Sequence, residues 1–148
     1  MEDTLDHQLH HLLLDIDLIY LGINKQVLSK HNMRRVRYYT MRHLYLTPDI
    51  TLGQLSDLTL VDRASLSRMI FSLEKDGLVI RKTNQTDRRV FKLSLTEDGN
   101  DLFLKVQVDM DADIRQRFKR LSQETKTELL ELNNRMKVIL TQHAADMS

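Results

Sequence analysis

The stretch from Leu60 to Gly99, LVDRASLSRMIFSLEKDGLVIRKTNQTDRRVFKLSLTEDG, most constrains what this chain can fold into, because its hydrophobic period switches from helical to strand-like. Leu66, Ile70 and Leu73, with Met69 beside them, recur at helical spacing. Asp62 stands where an N-cap carboxylate accepts from a free first-turn amide. Gly77 stands where a helix end wants a left-handed residue. Leu78, Val79 and Ile80 then form a short β-prone run ending in Arg81 and Lys82. Thr83 to Asp87 is polar and turn-like. Phe91, Leu93 and Leu95 alternate with Lys92 and Ser94, the pattern of a strand with one buried face. The order is helix, strand, basic turn, strand, which is the second helix of a helix-turn-helix followed by a β-hairpin wing.

The segments before it complete the motif. Thr51-Leu52-Gly53-Gln54 is a capping-box pattern, with Thr51 as N-cap and Gln54 reaching back. It predicts a short helix that turns Leu52, Leu55 and Leu58 inward, with a turn at Thr59 to Val61. Two short helices joined so tightly must cross steeply, which holds the outer face of the second one clear. That outer face carries Ala64, Arg68, Phe71 and Lys75, flanked by Ser65, Ser67 and Ser72. Small residues permit close approach to a major groove, an Arg can grip a guanine edge with two bonds, and hydroxyls reach phosphates or bases.

Two groups of motifs carry a resemblance. Asp87-Arg88-Arg89 followed by Leu93-Ser94-Leu95-Thr96-Glu97-Asp98-Gly99 resembles the DRR…LxLTxxG signature of the MarR family of bacterial transcriptional regulators. Leu73-Glu74-Lys75-Asp76-Gly77-Leu78-Val79 is similar to that family's passage from recognition helix to wing, at the family's spacing. The resemblance implies a winged-helix dimer whose second motif helix enters the major groove of double-stranded DNA while a wing Arg enters the minor groove. It assigns the minor-groove role to Arg89, with Arg88 sharing it, and the bracing of the wing to Asp87. It places Ser65, Ser67 and Arg68 at recognition-helix contact positions, with Arg63 at the helix start among the DNA-binding residues. Phe71 departs from the family, whose members usually carry a polar or charged residue there.

The rest of the chain supplies arms for that core. Thr4 to Lys30 reads as one long amphipathic helix, with Leu5, Leu9, Leu12, Leu13, Ile16, Ile19, Tyr20, Ile23 and Val27 at three- and four-residue steps. The stripe is wider than one domain face needs. Asn32 to Leu46 is the next predicted helix, closed by Pro48. After the wing, Thr96 caps a helix with a stripe of Leu102 or Phe103, Val106, Met110, Ile114, Phe118 and Leu121. Ser122 and Glu124 to Lys126 interrupt that stripe. Leu129, Leu132, Met136, Ile139 and Leu140 form a last one, close to a coiled-coil seam. The expected architecture is therefore mainly α with a small β wing (α+β). Residues 31–96 form the winged helix-turn-helix, and residues 1–30 and 97–148 are dimerisation helices within a single compact chain. A monomer would leave a large apolar surface wet, so a homodimer is expected.

Charge fits this division. Net charge is only +1, so bulk composition does not announce a nucleic-acid binder. Residues 1–24 hold five acids and no Lys or Arg, residues 25–45 six bases and no acid, and residues 62–92 eight bases against four acids. The positive charge lies in the middle, where it can neutralise phosphates and make binding salt-dependent. There is no Cys, which excludes disulfides and thiol sensing. No apolar run approaches the ~20 residues of a membrane span, and the acidic N-terminus is no signal peptide, so no membrane association is expected and a cytoplasmic protein is.

Two ligand readings remain. In the resembled family, small phenolic or aromatic acids bind between the first two helices and the DNA-binding lobe. Tyr39, Arg42 and His43 are the candidates here, since an Arg beside Tyr and His can hold a carboxylate by a charge-assisted bond. His7, His11 and Asp15 share one helix face with metal-ligand spacing, and His143 is the one residue able to join them across a dimer. Solvated histidines near a chain end are the commoner arrangement, so no metal and no cofactor is expected. A metal-responsive regulator of the same fold is an alternative, as is a winged-helix protein-interaction module. The second is disfavoured by a wing rich in Arg81, Lys82, Arg88, Arg89 and Lys92. Neither a nucleophile elbow nor a phosphate-cradling Gly loop occurs, and no enzyme is expected.

Overall fold

The computed structural model describes residues 4–59, 61–83 and 91–147. Among these the chain forms α1 (Leu5–Ser29), α2 (Arg35–Leu46), β1 (Ile50–Thr51), α3 (Leu52–Thr59), α4 (Arg63–Lys75), β2 (Val79–Thr83), β3 (Phe91–Leu95), α5 (Glu97–Phe118) and α6 (Gln123–Asp146). It is mostly helical with a small antiparallel sheet, as expected. The sheet order is β1-β3-β2, with Ile50 opposite Leu93 and Val79 opposite Leu95. The chain divides into two compact units, one up to Met110 and one from Asp111 onward.

The core of the first unit is built from the expected ladder. Leu66, Ile70 and Leu73 of α4 are buried together with Leu28, Met41, Leu44, Leu55, Leu93, Phe103 and Val106. The capping box forms: the Thr51 N–H donates to Gln54 Oε1 at 3.0 Å, and the Gln54 N–H donates to Thr51 Oγ1 at 3.3 Å. Asp62 caps α4 by accepting from the Ser65 N–H at 2.8 Å.

The end of α4 and the start of α5 are one joint. Gly77 takes φ +73°, and the Leu78 and Gly77 amides donate back to the carbonyls of Leu73 and Glu74, each at 2.9 Å. These are the two bonds of a Schellman cap. The Thr96 N–H then donates to the Leu78 carbonyl at 3.0 Å. The Thr96 hydroxyl donates to the Gly77 carbonyl at 2.7 Å and accepts from the Gly99 N–H at 3.0 Å. Gly99 has to lack a side chain, because a Cβ there would lie 2.1 Å from the Leu78 oxygen. The Leu-Glu-Lys-Asp-Gly-Leu-Val and Leu-Thr-Glu-Asp-Gly motifs thus meet in space and lock α4 to α5.

Several expectations need correction. α2 starts at Arg35 rather than Asn32, because Asn32 adopts φ +50° and the chain turns before re-entering a helix. Sequence periodicity missed β1, a two-residue strand. Phe91 lies on the face of Leu93 and Leu95 but is not buried with them: it is 46% exposed against 2% for Leu93, while Ser94 on the opposite face is buried. Ser94 is held by Asp49, whose N–H donates to Ser94 Oγ at 3.0 Å while the hydroxyl donates to Asp49 Oδ1 at 2.9 Å. Leu58 is half exposed rather than inward. In keeping with the expected stripe, wider than one domain face needs, α1 is buried only near its end, at Asn24, Val27 and Leu28, while Leu9, Leu12, Ile16 and Ile19 stay exposed.

The second unit consists of the end of α5 and α6. Ser122 caps α6 by accepting from the Thr125 N–H at 3.0 Å. None of the α6 residues is buried, and Leu129, Leu132, Ile139 and Leu140 of its expected seam are exposed.

Candidate nucleic-acid interface

α4 divides as its sequence requires. Its inner ladder is buried, and Arg63, Ala64, Arg68, Phe71, Ser72 and Lys75 are exposed, with Ser65 and Ser67 half-buried between the two faces. Arg68 donates through Nη2 to Ser65 Oγ at 3.0 Å. This bond folds the guanidinium toward the helix N-terminus, the end a recognition helix presents to base edges. Bonds from the Ser65 amide and hydroxyl, aided by the nearby Arg68 charge, hold the Asp62 carboxyl below its ordinary carboxylate range. The cap therefore stays ionised at neutral pH and favours the N-terminal end of the helix dipole. Arg63 lies on the exposed first turn with its guanidinium beside Gly53 of α3.

The wing strands are tied to this helix by charge. Arg81 Nε donates to Glu74 Oε2 at 2.8 Å, which joins β2 to the last turn of α4. Lys82 Nζ lies 3.8 Å from Asp49 Oδ1, and Arg37 Nη1 lies 2.9 Å from Asp76 Oδ2. Arg81 and Lys82, counted from sequence as open positive charge on the wing, thus have carboxylate partners. Their role is bracing as much as attraction. Asp87, Arg88 and Arg89 lie outside the described residues.

A cleft of about 570 Å³ lies among α1, α2 and the α3–α4 turn. Tyr39, Arg42 and His43 all line it, as does Leu58, which accounts for that residue's exposure. Sequence reading missed Asp17, Tyr20, Asn24 and Arg35, which also line it. Their signal was present in the α1 period, since Leu13, Asp17, Tyr20 and Asn24 share one helix face, but polar members of an apolar stripe read as rim. Burial, and then the Arg42 charge, lower the His43 pKa below its ordinary value of 6.5. His43 is thus largely neutral at pH 7, and Arg42 and Arg35 are the positive groups facing the cleft.

The metal candidates do not gather. His7 Nδ1 is 2.7 Å from Thr4 Oγ1, in the N-terminal cap of α1, and the His11 ring packs at 5.6 Å from that of His10. Among the described residues no three His, Asp or Glu side chains, His7, His11 and Asp15 included, cluster as a metal site.

The family model described as MarR family matches residues 31–90. The chain is 30% identical over 116 residues to the HTH-type transcriptional regulator MhqR of Bacillus subtilis, covering 76% of this chain and 80% of that protein. It is 27% identical over 92 residues to the homoprotocatechuate degradative operon repressor of Escherichia coli, covering 62% of each. The fold matches that of Bordetella bronchiseptica BpsR, solved in a study of how 6-hydroxynicotinic acid regulates its DNA binding, with a TM-score of 0.78 at 19% identity, over 90% of this chain and 96% of that one. The chain belongs to the MarR family of DNA-binding transcriptional regulators.

Proposed function

We propose that this protein is a repressor that binds a pseudo-palindromic operator as a homodimer in the cytoplasm. The observation that carries the reading is the outer face of α4. Arg68 stands on it clear of the core, with Ser65 and Ser67 half-buried at its edges, on a helix fixed at both ends by the Asp62 cap and the Gly77–Thr96 joint. In this reading Arg68 grips a guanine in the major groove, Ser65 and Ser67 contact bases or phosphates, and Arg63 contacts the backbone. By family resemblance Arg89, with Arg88, enters the minor groove and Asp87 braces the wing. The apolar side chains left exposed on α1 and on α6 support dimerisation through residues 1–30 and 97–148, since so many large hydrophobics are rarely left wet on a monomer. Two-fold symmetry in the protein then implies two-fold symmetry in the operator.

The cleft lined by Tyr39, Arg42 and His43 supports control by a small aromatic acid, its carboxylate on Arg42 and its ring against Tyr39 and Val36. Such a ligand releases DNA only if it binds the DNA-incompetent dimer more tightly than the competent one. Binding of the purified protein to DNA flanking its own gene, at two salt concentrations and against unrelated competitor, tests the reading. Competitor-resistant, salt-sensitive binding that benzoate-type acids weaken is the expected result. Binding to no DNA in preference to competitor, including random-sequence pools, would refute it.

A further inference from the structure

One residue of the recognition face does not fit a merely solvated or phosphate-seeking surface. Phe71 is 66% exposed in the middle of that face, one turn from Arg68 on one side and from Lys75 on the other. It contributes nothing to the core, and no aromatic partner packs on it among the described residues. A large apolar ring on a helix otherwise lined by Arg, Lys and Ser is useful only where the opposing surface offers an apolar group. The floor of the major groove offers one, the C5-methyl of thymine. The other recognition groups there are hydrogen-bond donors and acceptors that a ring would desolvate without replacing, and the bare C–H edges are smaller than a methyl.

We infer that Phe71 is a specificity-determining residue that selects thymine in each operator half-site through its C5-methyl group. The inference rests on the DNA-binding reading above. The flanking charges support this occupant over a protein partner, because Arg68 and Lys75 on the same face match a polyanion on both sides of the ring. Spacing sharpens it. Arg68 and Phe71 are three residues apart, about 4.5 Å along the helix axis, against about 3.4 Å per base step. The guanine gripped by Arg68 and the thymine under Phe71 therefore lie within one or two base steps of each other. Cytosine in place of that thymine would leave only a C5–H under the ring and set its 4-amino group where thymine has O4, so the contact would be lost.

The test replaces thymine by deoxyuridine, one position at a time, in one half-site of an operator obtained by selection from random DNA. The change removes the methyl and leaves base pairing and the polar edge intact. Full-length wild type is expected to lose about fourfold in affinity at one position beside the recognised guanine, the fold-change equivalent to about 0.8 kcal/mol for one buried methyl-sized group. Phe71→Ala is expected to bind that operator more weakly and to be indifferent to the same replacement, while Phe71→Leu keeps part of the discrimination. Because Phe71 is exposed, both variants should melt as wild type does. Specific wild-type binding with no deoxyuridine-sensitive position overturns the inference and leaves the DNA-binding reading standing. So does a Phe71→Ala variant with undiminished sensitivity. Failure of wild type to select any sequence overturns both.

Discussion

The joint between α4 and α5 gives a sharp test of how this domain is held together. Replacing Gly99 with Ala puts a Cβ 2.1 Å from the Leu78 oxygen, 3.0 Å from its carbonyl carbon and 3.3 Å from its Cα. A carbon ordinarily approaches a carbonyl oxygen to about 3.3 Å, so the two backbones must part by roughly 1.2 Å. The obstacle is main chain on both sides, and no side chain can rotate out of the way. That movement stretches the Thr96 N–H to Leu78 bond, now 3.0 Å, and the Thr96 hydroxyl to Gly77 bond, now 2.7 Å, past useful length. Two hydrogen bonds at about 1 kcal/mol each, set against up to about 1 kcal/mol gained from Ala in a helix, leave a loss of about 1–2 kcal/mol before any residual overpacking strain. Strain of about 1–3 kcal/mol brings the expected loss to about 2–5 kcal/mol. At about 2–4 °C per kcal/mol for a chain of this size, the melting temperature falls by roughly 4–20 °C. Gly22 in α1 is the internal control. Nothing lies within 4 Å of its would-be Cβ, so Gly22→Ala should stabilise by about 0.5–1 kcal/mol. Thermal melts of the three proteins at equal protein concentration decide it. A Gly99→Ala variant as stable as wild type would refute the close-approach argument.

Other expectations follow from the same contacts. Ser94→Ala leaves the Asp49 N–H and carboxylate without their buried partner and should cost about 1–3 kcal/mol in urea denaturation. Glu74→Ala frees Arg81 from its part-exposed pair, so stability should change by less than about 1 kcal/mol while operator affinity falls, as read by anisotropy titration beside the melt. The folded state holds the His43 pKa below 6.5, so the unfolded chain binds more protons near and below that pH. The resulting stability is full above about pH 6.5 and is lost as pH falls through the lowered folded value. His43→Gln should flatten that part of the denaturation-midpoint profile.

The sequence was most informative where one residue acts locally. Asp62, Thr51, Gln54 and Gly77 signal helix ends by chemistry that needs only their own neighbours, and each acts as read. The inner ladder of α4 was legible for the same reason. What escaped depends on distant partners. β1 is two residues whose strand character exists only through pairing with β3. Ser94 is buried because Asp49, at φ +61°, supplies both a donor and an acceptor to the hydroxyl from 45 positions away in sequence. Arg81 and Lys82 of the wing strands looked free because Glu74 and Asp49 are near them only in space. At the cleft, Tyr39, Arg42 and His43 were identified from the chemistry of one helix. Asp17 and Asn24, on another, were hidden inside an apolar stripe.

The central claim, that the outer face of α4 reads DNA sequence, is tested most directly by selecting binding sites from random DNA with wild type and with Arg68→Ala. The account predicts that wild type converges on an inverted repeat with a guanine in each half. It predicts that Arg68→Ala binds this repeat more weakly by about 1–3 kcal/mol and loses the preference for that guanine. Convergence of both proteins on the same sequence with equal affinity would contradict it.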